Sequence, residues 1–360
     1  MLLKDVYNEN FLQDFCQAIL CFDKNFLVKD FLKITKNNWQ DKSLKQRMRM
    51  ISIAIEKNLS AKNYREKIFI LRKTILEIPK NRNSSLAFII FSDFVEVFGI
   101  EDFDFSMSAL EFFTEFGSAE FAVRKFIKHD EDRALKFFKL WAKSKNFHVR
   151  RLASEGIRPL LPWGEVLLSF KKNPVKILEI LEELKFDDEK YVKKSIANNL
   201  NDISKNHPEI ILKLLTKWQK QGVDSGLIRH ALRTLLKRGS PEALALIGIN
   251  KSDTKFSIQK FALQKNIVKI GDSLAFNFTL DNQDLSKIRL EYLVYFLKKN
   301  KEYSKKIFQI TTKNLSKGSF IFNKKHSFKD MSTRKHNKGF HMISLVINGT
   351  EFEKLQFELI

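Results

Sequence analysis

Residues 173–205 read NPVKILEILEELKFDDEKYVKKSIANNLNDISK. Ile177, Ile180, Leu181 and Leu184 recur at steps of three and four, and so do Val192, Ile196, Leu200 and Ile203. Each set lies along one stripe of a helix, so the stretch predicts two amphipathic helices joined by a short turn. Asn173-Pro174 opens the first of them, where a proline's missing N–H is harmless. His207-Pro208 and Ser240-Pro241 repeat that start signal further on. The period of 3.6 runs up to about residue 250, which predicts about fourteen short helices, the length scale of a HEAT-like α-solenoid.

Beyond residue 250 the period changes. Leu274-Ala275-Phe276-Asn277-Phe278-Thr279-Leu280 alternates strictly, and residues 288–297 are apolar on both faces, as in a central strand. Asn348-Gly349 between two such runs is a two-residue hairpin signal. All 6 prolines and all 4 tryptophans precede residue 251. The expected fold is therefore mainly α: a helical-repeat domain, residues 1–250, followed by a β-sandwich of about seven strands, residues 251–360.

The net charge of +22 over 360 residues directs the chain to polyanions, meaning nucleic acid or an anionic membrane. Half of the excess falls in residues 251–360, concentrated between positions 298 and 338, where 13 basic residues face only Glu302 and Asp330. Interleaved there are Lys324, Lys325, His326 and Ser327, then Ser332, Thr333, Arg334, Lys335 and His336, a mixture suited to phosphate contact. The alternative is an edge strand kept soluble by lysines. No phosphate-cradling glycine loop and no metal-ligand spacing occurs, so no cofactor and no metal are expected. Cys16 and Cys21 read as two buried thiols. With no disulfide framework and charges already at Lys4 and Asp5, the expected setting is the cytosol. The longest apolar stretch, residues 86–91, is too short for a membrane span.

Four helix starts place an apolar residue before basic ones: Val123-Arg124-Lys125, Val149-Arg150-Arg151, Val192-Lys193-Lys194 and Ile228-Arg229-His230. They predict either one basic concave surface or a set of solvated side chains. Residues 148–163, HVRRLASEGIRPLLPW, carry Glu155 at a helix end and Trp163 in a proline-bounded loop. From spacing alone Trp163 reads as a buried anchor. Asp202 falls on one stripe with Lys190, Lys194, Asn198 and Lys205, where a surface ion-pair row is the plain reading. Glu120 follows Gly117-Ser118-Ala119 at an expected helix start, where the helix dipole favours a carboxylate.

These segments carry a family resemblance. Residues 114–121 (TEFGSAEF), 148–156 (HVRRLASEG), 161–163 (LPW), 195–203 (SIANNLNDI) and 230–235 (HALRTL) resemble the AlkC branch of the bacterial DNA alkylation repair glycosylases. Residues 325–328 (KHSF) and 332–335 (STRK) resemble that branch's appended immunoglobulin-like domain. The resemblance runs in order over the whole chain. It departs from the family pattern at Leu160, where arginine is usual, and at Asn337-Lys338-Gly339, where Pro-Gly is usual.

The resemblance implies an enzyme that holds duplex DNA and cleaves the N-glycosidic bond of cationic N-alkylated bases without extruding the base, and a monomer is expected because nothing in the sequence points to oligomerisation. It also implies the site. Asp202 would handle the attacking water, Glu155 and Glu120 would supply the electrostatic site, and Trp163 would pack on the deoxyribose. Arg150, Arg151, Lys193, Lys194, Arg229 and Arg233, with Lys324, Lys325, His326, Arg334 and Lys335, would contact the DNA. The competing expectation is a non-catalytic HEAT adaptor or DNA-binding scaffold, and against it stand the carboxylates set among basic residues. A peripheral membrane protein is weaker, because no amphipathic helix with exposed apolar bulk adjoins the basic clusters.

Overall fold

The computed structural model describes residues 2–36, 38–80, 84–249, 255–331 and 335–360. Seventeen α-helices come first among the described residues: α1 (Glu9–Leu20), α2 (Val28–Lys36), α3 (Leu44–Asn58), α4 (Tyr64–Glu77), α5 (Ser84–Ala87), α6 (Ile89–Phe98), α7 (Phe103–Phe113), α8 (Val123–His129), α9 (Glu131–Trp141), α10 (Phe147–Glu155), α11 (Leu168–Lys172), α12 (Val175–Leu184), α13 (Lys190–Ile203), α14 (Pro208–Lys220), α15 (Ser225–Ala231), α16 (Arg233–Lys237) and α17 (Pro241–Leu246). The number exceeds the expected fourteen because some periodic stretches break into shorter pieces, as between α5 and α6 or at Leu232 between α15 and α16.

Helices pack on chain neighbours, as in α2–α3, α8–α9 and α12–α13, and on the helix three further along, as in α1–α4, α3–α6, α4–α7, α10–α13 and α14–α17. That second spacing is what stacked helical repeats produce. Caps fix the starts: Asn8, Ser43, Asn63, Asp130 and Asp224 each accept a backbone N–H of the first turn. Among the described residues no helix is long and apolar enough to cross a membrane. Cys16 is buried, but Cys21 lies at the surface at the end of α1.

Eight strands follow among the described residues: β1 (Phe256–Leu263), β2 (Ile267–Val268), β3 (Ser273–Asn282), β4 (Ser286–Leu297), β5 (Tyr303–Leu315), β6 (Gly318–Ser327), β7 (Gly339–Ile347) and β8 (Thr350–Leu359). They form a three-stranded sheet, β1-β3-β6, and a five-stranded sheet, β2-β8-β7-β4-β5. The short β2 lies parallel to β8, and every other pairing is antiparallel. Leu274, Phe276, Phe278 and Leu280 of β3 meet Ile288, Leu290, Tyr292, Val294 and Phe296 of β4 in the sandwich core. The strict alternation read from residues 274–280 is the burial pattern of β3, and β4 is an interior strand.

Compactness divides the chain into Met1–Asn206 and His207–Ile360. The expected boundary at 250/251 lies later than this, so α14–α17 belong to the same compact unit as the sandwich. One reason is a backbone-to-backbone approach. Asn348 and Gly349 turn the β7–β8 hairpin with φ of 49° and 76°, and Gly239, at φ 72°, packs against that turn. A Cβ on Gly239 would lie 2.7 Å from the carbonyl oxygen of Gly349. Gly239→Ala therefore meets both a left-handed backbone and a clash, and should cost about 1–3 kcal/mol. Calorimetry of the intact chain should show it as a fall of several degrees in Tm.

Candidate active site

The site is built where α10 and α13 pack together. Asn146 caps α10 by accepting the His148 N–H, which turns Val149 and Leu152 into the core. Arg151 and Glu155 then fall one turn apart, with Nη2 and Oε1 separated by 3.6 Å. From α13, the Ser195 hydroxyl donates to Glu155 Oε2 at 2.6 Å and accepts from the Ser154 hydroxyl at 2.6 Å. The Asn199 amide donates to the Ser154 carbonyl at 2.8 Å.

Just past α10, Arg158 joins the two helices. Its Nη1 donates to Glu155 Oε1 at 2.6 Å and its Nε to Asp202 Oδ2 at 2.9 Å. The Lys205 ammonium donates to the other Asp202 oxygen at 2.9 Å. On the opposite flank Arg151 donates to Glu120 and, at 2.6 Å, to the Ser118 hydroxyl. The charges alternate without a gap: Glu120, Arg151, Glu155, Arg158, Asp202, Lys205. Glu155, Arg158 and Asp202 are 5%, 6% and 2% exposed. Burial works against the positive charge of Arg151 and Arg158, but the carboxylates on either side outweigh it and hold both pKa values above the usual. Exposed ion pairs contribute little, whereas a buried one is costly to break.

Two expectations change here. Asp202 is not part of a surface row, because α13 turns it inward against Arg158. Glu120 lies in the turn ahead of α8, three residues before Val123, and its partners are Arg151 and Ser118 instead of a helix end.

The loop after α10 carries Trp163. Leu167 N–H bonds the Pro159 carbonyl at 3.2 Å and Gly164 N–H the Leu161 carbonyl at 3.0 Å. Arg124, fully buried on α8, donates to the carbonyls of Gly156 at 3.1 Å, Arg158 at 2.9 Å and Glu165 at 2.7 Å. Burial, then repulsion by Arg158, lowers its pKa to about 10. Trp163 is 64% exposed, so the anchor reading from spacing is overturned. Its backbone is left-handed, at φ 64°. A bulky residue held there stores about 1–3 kcal/mol of strain, a pattern that clusters at functional sites. The Trp163 carbonyl accepts from Lys45, whose ammonium also sits 4.3 Å from the centre of the Phe121 ring, next to Glu120. Trp163→Gly relieves the strain and should leave Tm unchanged or raise it by a degree or two, while removing the exposed indole. A thermal melt of the intact chain tests the first half.

The expected DNA contacts separate into groups. Arg150 is engaged by Asp187 at 2.5 Å and by the carbonyls of Ser144 and Lys145 at 3.0 Å, and Arg151 by the carboxylate chain. Neither presents a guanidinium to a phosphate in this arrangement. The basic helix starts thus serve partly as internal clamps, since the packed repeats leave carbonyls and carboxylates that only buried arginines satisfy. Lys194 and Arg229 are exposed, while Lys193 and Arg233 are half-buried. On β6, Lys325 is exposed and Lys324 half-buried. His326 is 5% exposed and bonds the Tyr292 hydroxyl at 3.0 Å, among the rings of Phe308 and Phe328, so it is a core residue and not a DNA contact. Lys335 is exposed, and Arg334 lies outside the described residues. Sequence reasoning missed Ser195 and Lys45 and the inward turn of Arg124 and Arg158, of which Arg124 carried a signal directly after Val123 and Arg158 three residues after Glu155 and ahead of Pro159.

A cleft of about 190 Å³ lies beside Arg151, lined among others by Thr114, Phe116, Ser118, His148 and Tyr191. Tyr191 stacks on Arg151 at 5.0 Å. Among the described residues, no group of three or more His, Cys, Asp or Glu side chains is placed to hold a metal.

Residues 92–235 match the family described as "DNA alkylation repair enzyme", and residues 257–360 match the C-terminal Ig-like domain described for YhaZ. YhaZ of Bacillus subtilis (strain 168) is 38% identical over 360 residues, covering 99% of each chain. The Pseudomonas fluorescens alkylpurine DNA glycosylase AlkC, solved bound to DNA containing an abasic site analogue, is 32% identical. It superposes with a TM-score of 0.95 over 100% of both chains. The chain belongs to the AlkC-type DNA alkylation repair family. As a member of this enzyme family it joins a helical-repeat region to an Ig-like domain, and the ion-pair chain from Glu120 to Lys205 lies wholly within the segment that carries the repair-enzyme match.

Proposed function

We propose that this enzyme is a DNA glycosylase that hydrolyses the N-glycosidic bond of cationic N-alkylated bases in duplex DNA. N3-methyladenine and N3-methylcytosine are the substrate type, and base excision repair is the consequence. The observation that carries the reading is the alternating ion-pair chain, which holds three carboxylates in place within the segment that carries the family match.

The chemistry follows from the substrate. An alkylated base already bears positive charge, so it departs as a neutral molecule, taking the electron pair of its bond to C1′. No general acid is needed. Charge develops on the sugar, and preorganised carboxylates stabilise it. Water attacks C1′ and its proton passes to a carboxylate, a role we give to Asp202. Both Asp202 oxygens have partners, but each retains a second lone pair. Glu155 and Glu120 supply the field. Trp163 packs its face on the deoxyribose, adding about 0.5–2 kcal/mol of cation–π attraction. The reading includes base release without extrusion of the base from the duplex.

The test is incubation with duplex containing one N3-methyladenine or one N3-methylcytosine, followed by alkaline cleavage at abasic sites. Strand cleavage above a no-enzyme control is expected, and its absence with both lesions would sink the reading. Trp163→Gly should release base at least tenfold more slowly. The β-domain binds phosphates through Lys324, Lys325 and Lys335. Replacing all three by Gln should flatten the dependence of log affinity on log salt by about 0.9 for each phosphate no longer neutralised. An unchanged slope on undamaged duplex would leave those lysines no DNA role.

A further inference from the structure

We propose that Arg124 is a positioning residue for base release, acting through the loop that carries Trp163. The loop, residues 156–167, includes Pro159 and Pro162, which have no N–H to give. Its carbonyls are therefore short of donors, and three of them turn inward to a single guanidinium. Those of Gly156 and Arg158 share Nη1, and that of Glu165 takes Nε. They bracket Trp163 on both sides. A lysine offers one rotatable ammonium and cannot span that set, whereas the planar guanidinium can.

The arrangement is more than core filling. Arg124 is 2% exposed, and among the described residues its hydrogen bonds go to the loop carbonyls, which with the fields of Glu165, Asp202 and Glu120 offset its desolvation. One helical turn on, Lys128 meets the Glu165 side chain at 2.7 Å in an exposed pair. Helix α8 thus holds the loop by its backbone at Arg124 and by a side chain at Lys128. Only the first hold is buried. The left-handed Trp163 needs such a hold, because a strained backbone persists only where its surroundings over-determine it.

The experiment uses the full chain with 5-fluorotryptophan, the Trp163 fluorine resonance being assigned by Trp163→Phe among the four tryptophans. In Arg124→Lys the Trp163 resonance should shift or broaden while those of Trp39 and Trp218 hold. The single-turnover rate on N3-methyladenine duplex should fall at least tenfold, with Kd for undamaged duplex within twofold. Arg124→Ala should regain rate when millimolar guanidinium is added, but not with potassium at equal ionic strength. Lys128→Gln should match the parent in both readouts. An unmoved Trp163 resonance with a rate within twofold overturns the proposal. So does a variant that fails to fold with or without guanidinium, which would make Arg124 a core residue only. The rate arm rests on the glycosylase reading and the fluorine arm does not. A parent protein that releases no base sinks that reading and leaves the resonance to decide the clamp.

Discussion

Glu155→Gln should release alkylated base 10²- to 10³-fold more slowly than the parent, with duplex affinity nearly unchanged. The substitution preserves shape and removes one negative charge. Glu155 is the centre of the ion-pair chain, approached by Arg151 and Arg158 and hydrogen-bonded by Ser195. Once it is neutral, the two guanidiniums lose half of their compensation, and the local field turns positive where the sugar must also become positive. Losing one preorganised electrostatic partner is worth about 2.7–4 kcal/mol of transition-state stabilisation. The ground-state duplex carries no such developing charge at the sugar, so binding is spared. Single-turnover rates on N3-methyladenine duplex, set beside Kd for duplex with an abasic analogue, separate the two effects. A rate within tenfold of the parent would remove Glu155 from the reaction. Asp202→Asn should fall in the same range if Asp202 takes the proton of the attacking water, and retention of full rate would reassign that step.

The fold was legible where one physical signal dominates. The period of 3.6 set the helices, the period of 2 set β3, and Asn348-Gly349 set the β7–β8 turn, since few dipeptides accept two left-handed residues in succession. The hidden features were those that depend on packing across many positions. Arg124 and Arg229 each follow an apolar residue and both read as helix starts, yet Arg124 opens α8 and is buried, whereas Arg229 lies in the last turn of α15 and is exposed. Which of them turns inward depends on the carbonyls that the neighbouring loop presents, and periodicity contains no information about those. His326 shows the same limit from the other side: a basic neighbourhood in the sequence, an aromatic one in space. The three carboxylates were placed by resemblance, and the chain of ion pairs between them became visible only with α10 against α13.

Arg158→Met should be the most destabilising single change in the helical unit, by about 3–5 kcal/mol. The arginine is the shared cation of Glu155 and Asp202, and both carboxylates are buried. Methionine fills much of the volume and returns none of the charge, so two carboxylates face each other with Arg151 and Lys205 only at the outer ends. A loss of that size should lower Tm by roughly 10 °C in a unit of about two hundred residues. The cause can be separated from packing. Adding Glu155→Gln and Asp202→Asn to Arg158→Met removes the uncompensated charge and should recover most of the stability, because a buried ionic group replaced throughout by neutral residues is often tolerated. The same triple variant should have no measurable base release. Coupling between the three positions, read from the melting of each combination, then reports the ion pairs directly. If the triple variant is no more stable than Arg158→Met alone, the loss comes from the packing of the arginine stem, and the carboxylates are held by something other than Arg158.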